Sequence, residues 1–217
     1  MGAERNENYE FKIFPEEAVA TKINTVTPSD RELEWDKSKV LNCKTDSKGT
    51  ILYANEAFID VCGYDDYELM NKSISLIRHP DMPKIIFKLL WQNLNNGVNS
   101  NMIMKNMSKT GRFFWVLNNI ECAKDSNDNY TYTGRQKSIS HEVILKIEPL
   151  YKKLLQIEAA NGIQSSENYL TGFLEEKNKS LLEFMNCSID NNLEIENSKP
   201  ENTTKKKGGF FSNFFAE

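Results

Sequence analysis

Arg78-His79-Pro80-Asp81-Met82-Pro83 is the stretch that decides the fold of this chain. Each proline fixes its own φ angle and biases the residue before it, His79 or Met82, toward an extended conformation. Pro83 suits the first turn of a helix, which leaves Asp81 or Met82 to cap it. A helix N-terminus beside an arginine and a histidine is a natural anion site. Local chemistry supports equally a purely structural interpretation, in which Asp81 is only a cap, Arg78 a solvated charge and His79 a packed turn residue.

The segments around this hexapeptide alternate between strand and helix patterns. A turn at Asp46-Ser47-Lys48-Gly49 joins two strands, and Asn55 can cap a short helix that ends at Gly63. After the hexapeptide, apolar residues recur at helical spacing until Asn95-Asn96-Gly97 stops the helix. We predict strands over 40–45, 50–54, 101–108, 112–123 and 130–139. This order predicts an α+β fold in which a five-stranded antiparallel sheet has helices on one face.

From His141 onward the pattern is helical. Apolar residues at spacings of four and three form a seam suited to a partner helix: Val143, Ile147, Leu150, Leu154 and Ile157. Pro149 interrupts the seam, so the stable helix is predicted to start there, and Asn161-Gly162 is predicted to break it before a second amphipathic helix. Two interpretations stand equally: a helical hairpin that covers an open sheet edge, or a contact surface for a receptor or a homodimer.

Four regions follow from these patterns. They are an N-terminal lead or cap (1–27), the α+β domain (28–140), the helical hairpin (141–187), and a disordered linker with its tail (188–217). The tail carries Lys205-Lys206-Lys207, then Phe210, Phe211, Phe214 and Phe215. Tethered aromatics of this kind favour a protein-docking peptide over a membrane-surface anchor, for which three lysines are a weak signal.

Composition excludes several classes of function. Lys+Arg 27 against Asp+Glu 31 gives a net charge of -4, so we expect no nucleic-acid partner. No apolar run approaches the roughly 20 residues of a membrane span, and the start lacks the apolar stretch of a signal peptide. Cys43, Cys62, Cys122 and Cys187 are far apart, so we expect reduced thiols in a cytoplasmic protein and no zinc or iron–sulfur site.

The stretch from about Thr25 to Leu154 resembles a PAS domain of the aerotaxis-receptor type. The hexapeptide matches the most specific motif of that family. Further matches are Tyr53-Ala54-Asn55-Glu56-Ala57-Phe58, Gly63-Tyr64, Phe87, Trp91, Lys105-Asn106, Lys109, Gly111, Phe114-Trp115-Val116 and Pro149-Leu150-Tyr151. The resemblance covers more than half of the chain.

This resemblance implies a domain that binds FAD noncovalently and reports redox state to the chemotaxis machinery. It places Arg78, His79 and Asp81 at the flavin site. The further wall residues that it suggests are Asn55, Trp91, Asn106, Trp115 and Asn118. The chemistry is compatible, because an aromatic ring can stack on isoalloxazine, amides can donate to and accept from its polar edge, and arginine can pair with phosphate.

One position departs from the family pattern. Ser100-Asn101 stands where the family commonly carries a tryptophan, which implies a looser pocket or another ligand. Met102, Met104 and Met107 suit adaptable core packing, and they could also supply an axial ligand to haem beside His79. FAD remains the expected cofactor. A cofactor-free adaptor and a haem-binding gas sensor are the alternatives.

Ser140-His141-Glu142-Val143 resembles the start of a histidine-kinase phosphoacceptor box. The continuation Ile144-Leu145-Lys146 does not follow that pattern, and no glycine-rich nucleotide-binding segment is present. We find no nucleophile elbow or metal-spaced cluster either, so we expect a sensor rather than an enzyme.

Aerotaxis receptors of this family usually carry a membrane anchor and a methyl-accepting signalling region. We therefore expect this chain to act as the detached PAS subunit of a two-protein energy-taxis sensor. It would work through a separate membrane receptor at the inner face of the membrane, using the hairpin and the Phe-rich tail as contact surfaces. The simpler alternative is a free-standing ligand-binding PAS module.

Overall fold

The computed structural model describes residues 26–186 of the 217 in the chain. The predicted N-terminal lead, apart from its last two residues, lies outside the described residues. The same holds for Cys187 and for the predicted linker and Phe-rich tail at 188–217.

Five antiparallel strands form one sheet in the order β2-β1-β5-β4-β3. They are β1 (Leu41–Asp46), β2 (Ile51–Ala54), β3 (Ser100–Met107), β4 (Phe113–Lys124) and β5 (Tyr130–Ser138). All five predicted strands are confirmed to within one residue at each end. Their order places the last strand, β5, between β1 and β4, a long-range pairing that spacing along the chain cannot specify.

Four helical segments between β2 and β3 cover one face of the sheet, which we call the inner face. They are α1 (Glu56–Cys62), α2 (Asp66–Leu69), a 3-10 helix (Ile74–Ile77) and α3 (Lys84–Asn95). The Asn55 side chain accepts the Phe58 N–H at 3.0 Å, and Gly63 ends α1 in the left-handed conformation. Both predicted ends of α1 are therefore confirmed.

The start of α3 differs from the prediction. Pro83 takes the cap position itself, the helix begins at Lys84, and Asp81 does not cap it. The first free amides of a helix still need acceptors. Those of Lys84 and Ile85 each donate to the Glu158 carboxylate at 2.9 Å. The predicted anion site at this helix N-terminus is thus filled by a side chain of the protein itself.

The trailing helix, α4 (His141–Glu176), begins at His141, where the Ser140 side chain accepts the Val143 N–H. The predicted start at Pro149 is wrong, since Pro149 lies inside the helix. Val143 and Ile147 are fully buried, and their packing stabilises the turns that precede the proline.

Gly162 divides α4 into two arms, 141–161 and 163–176. Its φ of 80° and ψ of 174° are not helical. The Ser166 hydroxyl lies 3.4 Å from the Leu154 carbonyl oxygen, although 12 residues of straight helix would span about 18 Å. The chain therefore turns back at Gly162, and the predicted break and hairpin are confirmed. A last short helix covers 181–186; we call 141–186 the C-terminal hairpin.

The first arm packs on the opposite, outer face of the sheet. Tyr151 stacks on Trp115 with ring centroids 6.2 Å apart, and its hydroxyl donates to the Ile103 carbonyl at 2.7 Å. The apolar seam of this arm is buried here, so the hairpin covers the sheet instead of presenting the seam to a partner helix. The helices between β2 and β3 lie on one face, as predicted, and the trailing helix covers part of the other. No helix within residues 26–186 is long and apolar enough to cross a membrane.

The turn at Gly162 gives a test of the hairpin. Gly162 occupies a region of φ and ψ space that is essentially restricted to glycine, so Gly162→Ala should destabilise the folded hairpin by about 1–3 kcal/mol. Gly172→Ala in the second arm is the matched control, because a Cβ there meets nothing within 4 Å. Removing a helical glycine should stabilise by about 0.5–1 kcal/mol. Urea unfolding followed by circular dichroism should give shifts of opposite sign, and equal shifts would contradict the turn.

Candidate functional site

A cavity of about 80 Å³ lies between α3 and the inner face of the sheet. The helical side supplies mainly apolar and aromatic groups, and the sheet supplies polar ones. The lining residues are Thr45, Ile74, Ser75, Ile77, Arg78, Phe87, Leu90, Trp91, Leu94, Met104, Asn106, Ile120, Tyr132 and Gln136.

Three amide side chains form a row across the sheet beside this cavity: Asn106, Gln136 and Asn118. The Asn106 amide donates to Gln136 Oε1 at 3.0 Å, and Asn118 pairs with Gln136 across β4 and β5. Asn118 Nδ2 lies 3.7 Å from the sulfur of Met104, while its Oδ1 is buried and finds no hydrogen-bond partner among residues 26–186. A buried amide oxygen without a partner is costly. Asn118 is not itself a lining residue, but its unused acceptor belongs to the residue paired with Gln136, which does line the cavity.

Gly134 makes room for this row. A Cβ on Gly134 would lie 2.7 Å from Asn118 Oδ1, so a side chain there would displace the Asn118 amide. Gln136 is the site residue that sequence reasoning missed. The available signal was its alternation with Tyr132 and Gly134, which puts a glutamine at an inward position of a central strand.

Arg78 brings a positive charge to the cavity on a partly buried side chain whose Nε is fully enclosed. Its backbone pairs with that of Asn106, and its guanidinium carbon lies 3.6 Å from the ring centroid of Phe87. Burial lowers the pKa of Arg78 to about 10, so the side chain is still protonated at neutral pH. The cavity wall is therefore cationic at one end.

Aromatic side chains also line the cavity. Trp91 meets Tyr132 edge to face with centroids 5.7 Å apart, and the Tyr132 hydroxyl donates to Asn95 at 3.3 Å. Burial raises the pKa of Tyr132 to about 12, so it remains a neutral phenol. Trp91 thus lies at the wall where the sequence placed it.

His79 and Asp81 do not line the cavity. His79 packs edge to face on Phe113, 6.1 Å between centroids, and its Nδ1 accepts the backbone N–H of Asp81 at 3.1 Å. Asp81 pairs with the buried ammonium of Lys105 at 2.5 Å. These contacts attach the hexapeptide to β3 through Lys105 and to the start of β4 through Phe113. The loop thus presents Arg78 to the cavity and its next residues to the sheet.

Burial, and then the Lys105 charge, lower the pKa of His79 to about 4. For Asp81, burial alone would raise the pKa, but the hydrogen bond and charge of Lys105 outweigh it and the pKa is lowered. At neutral pH the cluster is therefore a neutral imidazole beside an ion pair.

The other two predicted wall residues also lie away from the cavity. Trp115 faces the outer side of β4 against Tyr151, because successive residues of a strand point to opposite faces. Asn55 is used structurally: its carboxamide accepts N–H bonds from Asn42 and Phe58 and donates to Val40. Of the predicted residues, Arg78, Trp91 and Asn106 line the cavity, and Asn118 lies beside it as the partner of Gln136. Their role in binding a cofactor stays a prediction.

Two further predictions concern haem and metals. His79 lies off the cavity and its Nδ1 already accepts a hydrogen bond, so it is badly placed as an axial ligand to a group bound there. Met104 lines the cavity, whereas Met102 and Met107 are core residues. In the described part of the chain, no three His, Cys, Asp or Glu side chains are grouped so that they could hold a metal ion.

A second, open cavity of about 550 Å³ lies between α3 and the second arm of the hairpin. We call it the hairpin groove. Its floor is formed by leucines and its rim by polar and charged groups. The lining residues are Leu89, Glu167, Leu170, Thr171, Leu174, Glu175, Asn178, Lys179, Ser180, Leu181 and Glu183.

Comparison with known protein families matches residues 34–134 to the PAS fold. The chain therefore contains a PAS domain, and the cavity described above is enclosed by its sheet and its long helix. The sequence is similar to the aerotaxis receptor of Escherichia coli (strain K12), with 36% identity over 110 residues that cover 51% of this chain and 22% of the receptor. The resemblance to an aerotaxis-type PAS domain is thus confirmed.

Other proteins share the domain at lower similarity. A blue-light photoreceptor of Listeria innocua serovar 6a (strain ATCC BAA-680 / CLIP 11262) is 28% identical over 108 residues, which cover 50% of this chain and 42% of that protein. The matched region spans less than half of either relative. Among solved structures, the dark state of the Aureochrome1 LOV photoreceptor has a TM-score of 0.44 at 20% identity, covering 54% of this chain and 86% of that one. The PAS domain of the fruit-fly ELK potassium channel has a TM-score of 0.42 at 21% identity, covering 49% and 91%.

His79 should make stability depend on pH. Its pKa is about 4 when folded and 6.5 ordinarily, so between these values the unfolded chain binds a proton that the folded chain does not. Stability therefore rises with pH, and its loss on acidification through this window can reach roughly 3 kcal/mol. Denaturant unfolding at about pH 7 and about pH 5 should show the larger part of this loss, about 2 kcal/mol, and His79→Gln should reduce it.

The control is His141→Gln, which removes the only other histidine, an exposed one. It should retain the pH dependence of the parent protein. If His79→Gln and the parent lose the same stability between the two pH values, His79 is not held neutral in the folded state.

Proposed function

We propose that this protein is a flavin-binding PAS sensor that reports cellular redox state to a separate membrane receptor for energy taxis. The observation that carries the proposal is the amide row at the cavity, with the unused Asn118 oxygen. Similarity to the aerotaxis receptor supports the taxis role. FAD is the form of flavin that this resemblance implies.

The polar groups at the cavity suit the edge of an isoalloxazine ring, which alternates hydrogen-bond donors and acceptors. Asn106, Gln136 and Asn118 can each donate and accept. Asn118 Oδ1 would gain the donor that it lacks among the described residues. Trp91 and Tyr132 offer aromatic contacts on the apolar part of the ring.

Arg78 suits the redox role of the site. A bound flavin would supply a redox couple whose charge and protonation change on reduction. The partly buried guanidinium favours negative charge at the cavity, and water screens its charge less there than in open solvent. Arg78 would thus raise the affinity of the protein for a reduced, anionic ring relative to a neutral one.

Flavin binding can be tested with one pair of variants. The parent protein should acquire the visible absorbance of bound flavin when FAD is added, and Gln136→Leu should bind FAD roughly fivefold to tenfold more weakly, because one net hydrogen bond is lost. Gln156→Leu, an exposed position in the first arm of α4, is the matched control and should bind like the parent. Fluorescence titration with FAD and with FMN gives both affinities.

A cofactor-free adaptor is the second candidate. The observation that favours it is the cavity volume of about 80 Å³, well below the roughly 300–1,000 Å³ of typical ligand sites. Parent protein that stays colourless and binds neither FAD nor FMN would favour this candidate. A haem absorbance in the purified protein would overturn both.

For the receptor, we propose that the hairpin groove is a contact surface. The groove has half-buried leucines, Leu89, Leu174 and Leu181, within a charged rim, and accessible apolar surface of this kind can mark an interaction site. The predicted Phe-rich tail, which lies outside the described residues, would add a tethered second contact.

Leu174→Glu, in the groove, should reduce co-purification with the cytoplasmic region of the receptor by tenfold or more. Burying an unpaired carboxylate costs several kcal/mol, and about 1.4 kcal/mol already corresponds to a tenfold change in affinity. Leu145→Glu is the matched control. It places the same charge at a leucine of the first arm that is 57% exposed and outside the groove. Equal binding by the two variants would exclude the groove as the receptor contact.

A further inference from the structure

We propose that ligand binding in the PAS cavity and attachment of the C-terminal hairpin are negatively coupled through α3. Entry of a ring-sized ligand would loosen the contact between Glu158 and the N-terminus of α3. This inference rests on the proposed function for the identity of the ligand. It adds a specific output: the occupancy of the cavity is reported by the attachment of the hairpin.

The first observation is that α3 belongs to both sites. One side of the helix lines the cavity with Phe87, Leu90, Trp91 and Leu94. Its N-terminal amides and its other side hold the hairpin. Glu158 accepts the N–H groups of Lys84 and Ile85, and Lys88 forms an ion pair of 2.5 Å with Glu167. A displacement of α3 would therefore change its contacts with both arms of the hairpin.

The second observation is the size of the cavity. About 80 Å³ holds only a few non-hydrogen atoms, whereas an aromatic tricyclic ring needs a site of the usual ligand size, roughly 300 Å³ or more. Protein interiors are closely packed, so extra volume must come from movement of a wall.

The third observation identifies the wall that can move. The sheet side consists of β1, β5, β4 and β3, whose neighbouring strands are joined by continuous backbone ladders. α3 is held against this sheet by side-chain contacts, which include the Tyr132–Asn95 hydrogen bond, and Glu158 and Glu167 brace it from the hairpin. Rearranging side-chain contacts costs less free energy than breaking the backbone hydrogen bonds between central strands, so α3 is the wall that moves.

The contact with Glu158 is sensitive to such a movement. Two N–H groups converge on one carboxylate at 2.9 Å each, and hydrogen bonds weaken steeply when their angles change. The preceding residues are anchored on β3 by the Asp81–Lys105 ion pair and by the approach of the Lys105 N–H to the sulfur of Met82. A tilt of α3 away from the sheet would therefore change the N–H···O angles at Lys84 and Ile85 and weaken their two hydrogen bonds to Glu158.

Because such coupling is reciprocal, it can be measured in both directions. Glu158→Gln removes the charge and one of the two acceptors. It should make FAD bind at least about fivefold more tightly, the lower end of typical coupling between sites. Glu148→Gln is the matched control: Glu148 lies on the first arm of the same helix and forms an ion pair with Lys152. It should leave FAD affinity unchanged.

In the other direction, FAD should accelerate hydrogen exchange at the amides of Lys84 and Ile85, while the amides of β4 and β5 stay protected. If the parent protein binds FAD and Glu158→Gln binds it equally or more weakly, the proposed opposition is wrong although the proposed function stands.

A filled cavity tests the same linkage without any flavin. Ile120→Phe enlarges a side chain on the sheet wall and should speed exchange at Lys84 and Ile85; Thr45→Leu, from β1, is a second and milder filler. Protection of the β4 and β5 amides verifies that each variant is folded. If the parent binds no flavin, the proposed function fails. Unchanged exchange at Lys84 and Ile85 in the folded filler variants would overturn the linkage.

Discussion

The pairing of β4 with β5 in the middle of the sheet determines which face of the sheet each other element must cover. It fixes which residues face inward, and it leaves buried side chains on both faces around Trp115 and Asn118. A sheet with apolar groups on both faces cannot leave either one open to water. The helices between β2 and β3 cover the inner face, and the first arm of α4 covers the outer one. The hairpin is thus part of the folded unit and not an appendage joined to it.

The hexapeptide at 78–83 lies where these two coverings meet. Its two prolines restrict the path of the chain, and the side chains between them point to different neighbours. Arg78 reaches the cavity, and Asp81 pairs with Lys105 on the outer side of β3. The residue after Pro83 begins α3, whose first amides bind Glu158 from the hairpin. A local motif therefore joins the cavity, the sheet and the C-terminal helices within a few residues.

Electrostatics at this junction follows from burial. Arg78 remains charged, whereas the cost of burying a cation keeps His79 neutral beside Lys105. The two remaining positive charges lie on different sides of β3: Arg78 faces the cavity, and Lys105 pairs with Asp81. This separation leaves Arg78 as the charge that a ligand in the cavity would meet.

Much of this organisation could be predicted from the sequence. Period-two alternation and turn residues gave all five strands, Asn55 and Gly63 gave the ends of α1, and Gly162 gave the turn of the hairpin, because each depends on neighbours close along the chain. The same alternation separates Trp115 from Asn118, so placing both at the walls of one cavity, as the resemblance implied, disagreed with the strand pattern. The resemblance to an aerotaxis-type PAS domain was carried by the hexapeptide and its flanking motifs.

Only the tertiary structure decided the remainder. Gln136 joins Asn106 and Asn118 because β5 pairs between β1 and β4, and Glu158 caps α3 from more than 70 residues away. The seam of α4 is buried on the sheet and not on a partner helix, since an amphipathic stripe specifies only that it must be covered, not by what. Local patterns fix which residues need burial and where the chain turns. The partner that satisfies each need is chosen by long-range packing, which no spacing along the chain encodes.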